Sequence, residues 1–226
     1  MHIPDGYLGP ASCAATWGVM LPVWWVSARR VGRTLAERQV PVLAAAAGFS
    51  FVVMMLNVPL PGGTTGHATG GALAGILLGP GAGMLAVSVA LALQALIFAD
   101  GGITTLAANC LNMAVLSPLA GYWIHRLLAR RLAAPWAAGL AGYGALNLAA
   151  LGTALLLGAQ PFLAHDAAGR PLYAPYGFGI AVPAIMIGHL LVFGPVEGLV
   201  TGGAMAFLAR VAKQEQSGGA RDASGG

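Results

Sequence analysis

Pro41-Val-Leu-Ala-Ala-Ala-Ala-Gly-Phe-Ser-Phe-Val-Val-Met-Met-Leu-Asn57 carries no charged side chain, and Val58-Pro-Leu-Pro-Gly-Gly-Thr-Thr-Gly-His-Ala-Thr-Gly70 follows it at once. The first stretch is continuously apolar and opens on Pro41, a favourable first-turn residue, so it predicts a helix from Pro41 to near Asn57. The second is too rich in Gly and Pro for a regular helix. A continuous apolar run differs from the polar–apolar alternation of an outer-membrane barrel strand. The same texture extends over the chain of 226 residues: 58% are hydrophobic, 8% are charged, and mean hydropathy is +0.77. A soluble domain carries about 25% charge. The composition therefore argues against a soluble enzyme and for an all-α polytopic membrane protein. Its 34 Gly and 14 Pro suit closely packed membrane helices.

Working outward, the apolar segments predict helix 1 over Leu8–Ala28 and a short helix 3 over Ala68–Leu78. Helix 4 is expected over Met84–Phe98, helix 5 over Thr104–Leu128 and helix 6 over Pro135–Leu157. A last apolar region runs from Phe178 to Ala209. Leu78-Gly-Pro-Gly-Ala-Gly83 separates helices 3 and 4. Counting the last region as one helix kinked near Gly194-Pro195 gives about seven spans; a break there would give eight. Arg29, Arg30, Arg33 and Arg38 form one basic loop, and Arg126, Arg130 and Arg131 a second. The positive-inside rule places both in the cytoplasm, with the amino terminus and the His67 loop outside and the carboxyl terminus cytoplasmic. Residues 1–212 read as one helical membrane domain and 213–226 as a polar, disordered tail. No ordinary signal peptide is expected, because Met1-His-Ile-Pro-Asp-Gly6 lacks a basic segment. The net charge of +4 is explained by topology and does not suggest nucleic acid. Cys13 and Cys110 both sit in apolar segments and imply neither a disulfide framework nor a thiol metal site.

Helix 3 is too short to span a bilayer that needs about 20 residues. Irregular backbone at membrane depth is tolerated only where it is buried in protein or lines a cavity, so this break points to a binding site. The amino terminus supplies matching chemistry. The Met1 α-amine, the His2 amide nitrogen and the His2 Nδ1 can close a five- and a six-membered chelate ring in one plane, with a fourth position open. Such nitrogen coordination suits Ni(II) or Cu(II), with Co(II) also feasible. His67 is placed to supply the fourth nitrogen. On residues alone, the ordinary readings stand ahead of the metal one: His2 as a solvated terminal residue and His67 as a loop hydrogen-bonder.

Met1-His-Ile-Pro-Asp-Gly-Tyr-Leu8 resembles the start of the CbiM/NikM family of membrane substrate-binding components of energy-coupling factor transporters for cobalt and nickel. Further segments match in order: Asn57 to Gly71, Leu78-Gly-Pro80, Gln94 to Gly102, Asn109-Cys-Leu-Asn-Met113 and Glu197-Gly-Leu-Val-Thr201. The resemblance covers nearly the whole chain to about Arg210. It implies a metal site built from Met1, His2 and His67. It also implies a membrane coupling subunit, a pair of cytoplasmic ATPases and a small auxiliary membrane subunit as partners, in a bacterial or archaeal cytoplasmic membrane. Nickel and cobalt are not separated by these residues, and the metal is substrate; no cofactor is expected.

Around that site, Asn57, Thr64, Thr65, Asp100 and Asn109 are candidate pocket residues, since a metal-bound imidazole usually donates its other N–H to such a group. Asp5 is expected to neutralise the cation or to cap helix 1. Asn109 and Asn112, one turn apart, should share a face; they, and Gln94 likewise, are expected either to bind helices together or to line the site. Glu197, an intramembrane acid, needs a partner. His189, eight residues earlier, is the expected one, with both lying toward the inner half in a structural or coupling role. The chain has no G-x-x-x-x-G-K-[ST] loop and no H-E-x-x-H, so ATP would be hydrolysed by partners. The competing reading is a secondary transporter driven by an ion gradient through Glu197 and Asp100. No nucleophile–base spacing supports an enzyme.

Overall fold

The computed structural model describes residues 1–34, 40–60 and 64–224, with side chains described to 214. Arg38 falls outside these limits, and of the expected tail, 213–226, the side chains beyond 214 do. The backbone of that segment continues the last helix to Ser224, so the expectation of a disordered tail from 213 is corrected. Among the described residues the chain is almost entirely helical. The elements are α1 (Pro10–Thr34), α2 (Val40–Met55), β1 (Val58–Leu60), β2 (Thr64–Gly66), α3 (Gly71–Leu78), α4 (Pro80–Ile97), α5 (Leu106–Asn109), α6 (Ser117–Leu128), α7 (Ala134–Leu163), α8 (Phe178–Gly188) and α9 (Gly194–Ser224). α5 continues through a π-helical stretch, Cys110–Leu116, into α6, and α8 continues through His189–Phe193 into α9. The helices therefore form seven rods among the described residues, and the last apolar region is one of them. The expected kink near Gly194-Pro195 takes the form of the π stretch just before it, where the Gly194 amide donates to the His189 carbonyl. The other π stretch likewise ends just before a proline, Pro118. A proline offers no N–H to its helix. Pro22, Pro161 and Pro183 are preceded by no such stretch, so proline alone does not cause it.

Most expected boundaries hold to within a few residues. Helix 3 starts later than its apolar run suggests, because Gly70 is left-handed (φ 66°) and cannot continue a helix upstream. Helix 4 starts earlier, at Pro80, where the missing N–H costs nothing. The Gly/Pro segment after α2 makes a two-stranded antiparallel hairpin, Val58 opposite Gly66.

α4, α7 and the rod from Phe178 to Gln214 are long and apolar enough to cross a membrane, and α2 is a shorter apolar helix. Exposed Leu21, Trp25, Val52, Leu96, Leu191, Leu199 and Phe207 give the outer faces an apolar coat suited to lipid. Inside, small residues set the spacing. α7 packs against α6, α8 and α9 through buried Ala137, Ala141, Ala145 and Ala149. At Gly139 a Cβ would lie 3.1 Å from the Gly198 carbonyl of α9. Cys13 and Cys110 are free thiols.

α3 positions the site. At 1.5 Å per residue its eight residues rise about 12 Å, against about 27 Å for α4. The chain enters α3 well below the end of the bundle where α4 finishes. The segment 64–70 thus dips between the helices, and His67 is fully buried. The expectation of an outer loop histidine is corrected: it belongs to a re-entrant loop.

Candidate metal centre

The first nine residues thread back into the bundle at the end where α4 finishes. The Asp5 carboxylate accepts from the Ile103 amide (3.0 Å), the Thr104 amide (2.8 Å) and the Thr104 hydroxyl. It therefore neither faces the centre nor caps α1, contrary to both expectations; it tethers the terminus to the turn before α5. Its pKa is lowered: slight burial raises it, but these donors outweigh that. The Gly9 amide donates to Gln160 Oε1 at 2.9 Å, and the Ala174 amide to the Tyr7 carbonyl at 3.1 Å.

Deeper in, Asn109 behaves like a strand partner for Ile3. Its Oδ1 accepts from the Ile3 amide at 2.8 Å and its Nδ2 donates to the Ile3 carbonyl at 3.1 Å. The Thr105 hydroxyl donates to the same carbonyl at 2.6 Å, and the Thr64 hydroxyl to the His2 carbonyl at 3.0 Å. The Met1 amine donates to the Thr65 carbonyl, with Thr65 Oγ1 at 3.2 Å. Met1 and Ile3 are fully buried. The terminus is thus fixed by its backbone, and Asn109→Ala leaves the buried Ile3 amide unmatched, at about 1–3 kcal/mol, while the Thr105 hydroxyl still meets the Ile3 carbonyl. The expected outcome is a roughly tenfold or greater rise in the Kd for Ni(II) with little change in the yield of folded protein, read by titrating the purified chain.

The two imidazoles meet face to face. His2 and His67 stack with ring centroids 4.6 Å apart and planes at 22°. His2 Nδ1 lies 3.1 Å from Asp100 Oδ1, and Asp100 Oδ2 accepts from Asn57 Nδ2 at 3.1 Å. Gln94 places its amide beside the His2 ring, in keeping with the site-lining alternative. His67 Nδ1 faces the Ala68 carbonyl at 3.0 Å, and its Nε2 has no hydrogen-bond partner. Gly101, at φ 86°, completes the wall; a Cβ there would lie 3.1 Å from Asn109 Nδ2 and 3.6 Å from the His2 ring.

Burial sets the protonation. It lowers the Met1 amine to about 4 against a small opposing pull from Asp100. It holds His67 well below its ordinary value, helped by the nearby amine and His2. It also lowers His2, although Asp100 pulls the other way. Burial works against the Asp100 carboxylate, yet its contact with His2 and the amine keep it below its ordinary value. Burial thus favours the neutral forms of the three nitrogen groups, while the contacts of Asp100 favour its charged form. Metal ligands must be unprotonated, so this arrangement favours a divalent cation. The imidazole nitrogen needed for a terminal chelate, Nδ1, is the one engaged with Asp100, so closing the chelate requires the ring to swing off that carboxylate. No group of three or more His, Cys, Asp or Glu side chains is placed to hold a metal among the described residues.

The structure thus gathers Met1, His2, Asn57, Thr64, Thr65, His67, Asp100 and Asn109 in one place and sends the remaining candidates elsewhere. Asn112 donates to Thr153 of α7 at 3.2 Å, while Asn109 faces Ile3. The π stretch starting at Cys110 separates the two amides that a regular helix would align. Glu197 does not pair with His189. Its Oε2 accepts from the Thr69 amide (2.6 Å) and the Gly70 amide (3.1 Å), at the N-terminus of α3, and His189 Nδ1 faces the Ile185 carbonyl at 2.8 Å. Both lie near the re-entrant loop rather than toward the far end. Thr105 and Gly101 went unrecognised in the sequence; the glycine pair Gly101-Gly102 was the available signal.

Comparison with known proteins places the chain in a family. The family described as the cobalt uptake substrate-specific transmembrane region, CbiM, matches residues 2–215. The chain is 50% identical over 215 residues to the fused nickel transport protein NikMN of Rhodobacter capsulatus, covering 93% of this chain and 62% of that one. It is 46% identical to the probable fused nickel transport protein LarMN of Lactiplantibacillus plantarum, covering 94% and 65%. The chain therefore spans under two thirds of the length of these two fused relatives. A crystal structure of a truncated transition metal transporter, 46% identical, superposes with a TM-score of 0.91 over 93% of this chain and 99% of that one. On these matches, and with its terminal thread and re-entrant loop in place, the chain belongs to the CbiM family.

Proposed function

We propose that the chain is the substrate-capture membrane subunit of an ATP-driven nickel or cobalt importer of the energy-coupling factor type. The observation that supports this best is the burial of a free amine against Thr65, beside stacked His2 and His67 and next to Asp100. Met1 and His2 supply the amine, amide and imidazole nitrogens, and His67 supplies the fourth. A deprotonated amide and Asp100 together balance the charge of a divalent ion. Asn57, Thr64, Thr65 and Asn109 hold the donors in place.

Seven spans with the amino terminus outside put the centre on the outer side and the arginines of α1 and α6 in the cytoplasm, where an ATPase pair and a membrane coupling subunit dock. The small auxiliary subunit completes the assembly in a bacterial or archaeal cytoplasmic membrane. Residues 1–212 form the working domain, with 213–226 as a tail. Uptake of radioactive nickel by cells carrying the chain and its partner subunits tests the proposal. Replacing the P-loop lysine of the ATPase is expected to abolish uptake while the purified chain still binds metal. Uptake that survives this change and collapses with an uncoupler would overturn the ATP-driven reading in favour of an ion gradient.

A further inference from the structure

The two halves of the metal centre hang from different parts of the bundle. The terminal thread that carries Met1 and His2 is fastened to Thr105 and Asn109, with Asp5 on Ile103 and Thr104. His67 is the nitrogen donor that does not travel on this thread. Four nitrogens share a plane around one ion only if the His67 ring meets the thread at a fixed depth. The ring follows its own backbone: Nδ1 is turned to the neighbouring Ala68 carbonyl at 3.0 Å, and Nε2 is left bare. Whatever holds the loop therefore holds the fourth nitrogen.

The last rod grips the loop on both sides of His67. One residue upstream, Gly66 lies so close to the Phe193 ring that a Cβ there would overlap it. Two and three residues downstream, the Thr69 and Gly70 amides donate to Glu197 Oε2 at 2.6 and 3.1 Å. The Thr69 hydroxyl in turn accepts from the Gly71 amide at 3.1 Å, which ties this contact into the first turn of α3. Phe193 and Glu197 are four residues apart on one rod and so share a face. Phe193 is backed by the His189 ring, with centroids 5.4 Å apart. His67, Thr69 and Glu197 are fully buried, so no bulk water competes for the carboxylate. A carboxylate on the free amides of a helix N-terminus is a strong, directional holder of that backbone.

We propose that Phe193 and Glu197 are positioning residues for the captured ion. Together they set the depth of His67, and thereby the planarity of the four-nitrogen centre, without touching the metal. The proposal rests on the capture role given above. It assigns the buried acid to the loop backbone rather than to the ion, and it makes the geometry of the centre depend on where the last rod stands relative to the terminal thread.

The test uses the full chain, Ni(II) alone as ligand, and the variants Glu197→Ala, Glu197→Gln and Phe193→Leu. Square-planar nickel(II) is diamagnetic, whereas nickel that gains a water ligand off the plane is paramagnetic. The parent complex is expected to be diamagnetic. Glu197→Ala and Phe193→Leu should raise the Kd roughly 10–100-fold, the range for losing a group that orients a metal ligand, and turn the bound nickel paramagnetic. Phe193→Leu leaves an apolar side chain on the rod and strands no polar group, so it reads the effect even if Glu197→Ala fails to fold. Glutamine keeps one oxygen for the two amides that share Oε2, so Glu197→Gln should restore the diamagnetic complex. A merely structural role would lower the thermal midpoint and leave whatever nickel still binds diamagnetic. Diamagnetic nickel in both Glu197→Ala and Phe193→Leu would therefore overturn the positioning role. A parent that binds no nickel, or binds it equally after one residue is added before Met1, would instead sink the capture role, and the positioning role with it.

Discussion

A single alanine placed before Met1 is expected to lower bound nickel from about one ion per purified chain to background, with the fold intact. The added residue moves the free amine about 3.8 Å along the chain and turns the old amine into an amide. The five-membered ring then has no basic nitrogen at its end. There is also no room to compensate: Met1 is fully buried, its nitrogen is held at Thr65, and Ile3 is locked to Asn109 and Thr105. Loss of a direct ligand should exceed the roughly 10–100-fold that loss of an outer hydrogen-bond partner costs a metal site. Metal content by mass spectrometry of native and extended chains, both tagged at the carboxyl end, reads the result. Equal content in the two would exclude Met1 as a ligand and leave His67 with Asp100 as the remaining donors.

Gly75→Val should be the most damaging single change away from the centre. α3 fits between α4 and α6 only because three glycines remove side chains from the seam. A Cβ on Gly75 would lie 2.2 Å from the Pro118 carbonyl, one on Gly83 2.8 Å from the Gly75 nitrogen, and one on Gly121 2.6 Å from the Ala72 Cα. These obstacles are backbone, which cannot rotate away. Overpacking a core costs about 1–3 kcal/mol, and a rigid obstacle of this kind places the change at the upper end. Since α3 carries the re-entrant loop on its N-terminus, nickel binding should fall together with the thermal midpoint in detergent. Gly203→Ala, where a Cβ meets nothing within 4 Å, is the matched control and should leave both unchanged. A Gly75→Val chain that melts with the parent would show that α3 moves freely against α6.

Much of this architecture is legible along the chain because a membrane helix satisfies its own backbone. An apolar run such as Pro41–Asn57 must become a helix whatever surrounds it. The break at Gly79-Pro80, the Gly/Pro hairpin and the histidines at 2 and 67 are likewise local signals, and the fold brings Met1, His2 and His67 together. Which amide does what was not legible. Asn109 and Asn112 look alike in sequence, yet the π stretch between them sends one to the terminus and the other to α7. Asp5 offered two plausible roles and performs a third, because its partners at Ile103 and Thr104 lie about a hundred residues away.

By itself, then, the sequence determined the fold class and the rods, because composition and helix breaks act over a few residues. Only the tertiary structure decided that the His67 loop dives inward, that Asp100 rather than Asp5 meets His2, and that Glu197 caps α3 instead of pairing with His189. Those outcomes depend on which buried donor finds which acceptor across 98 to 128 residues of chain. That choice is made by the close packing of glycine and alanine faces, and no local pattern encodes it.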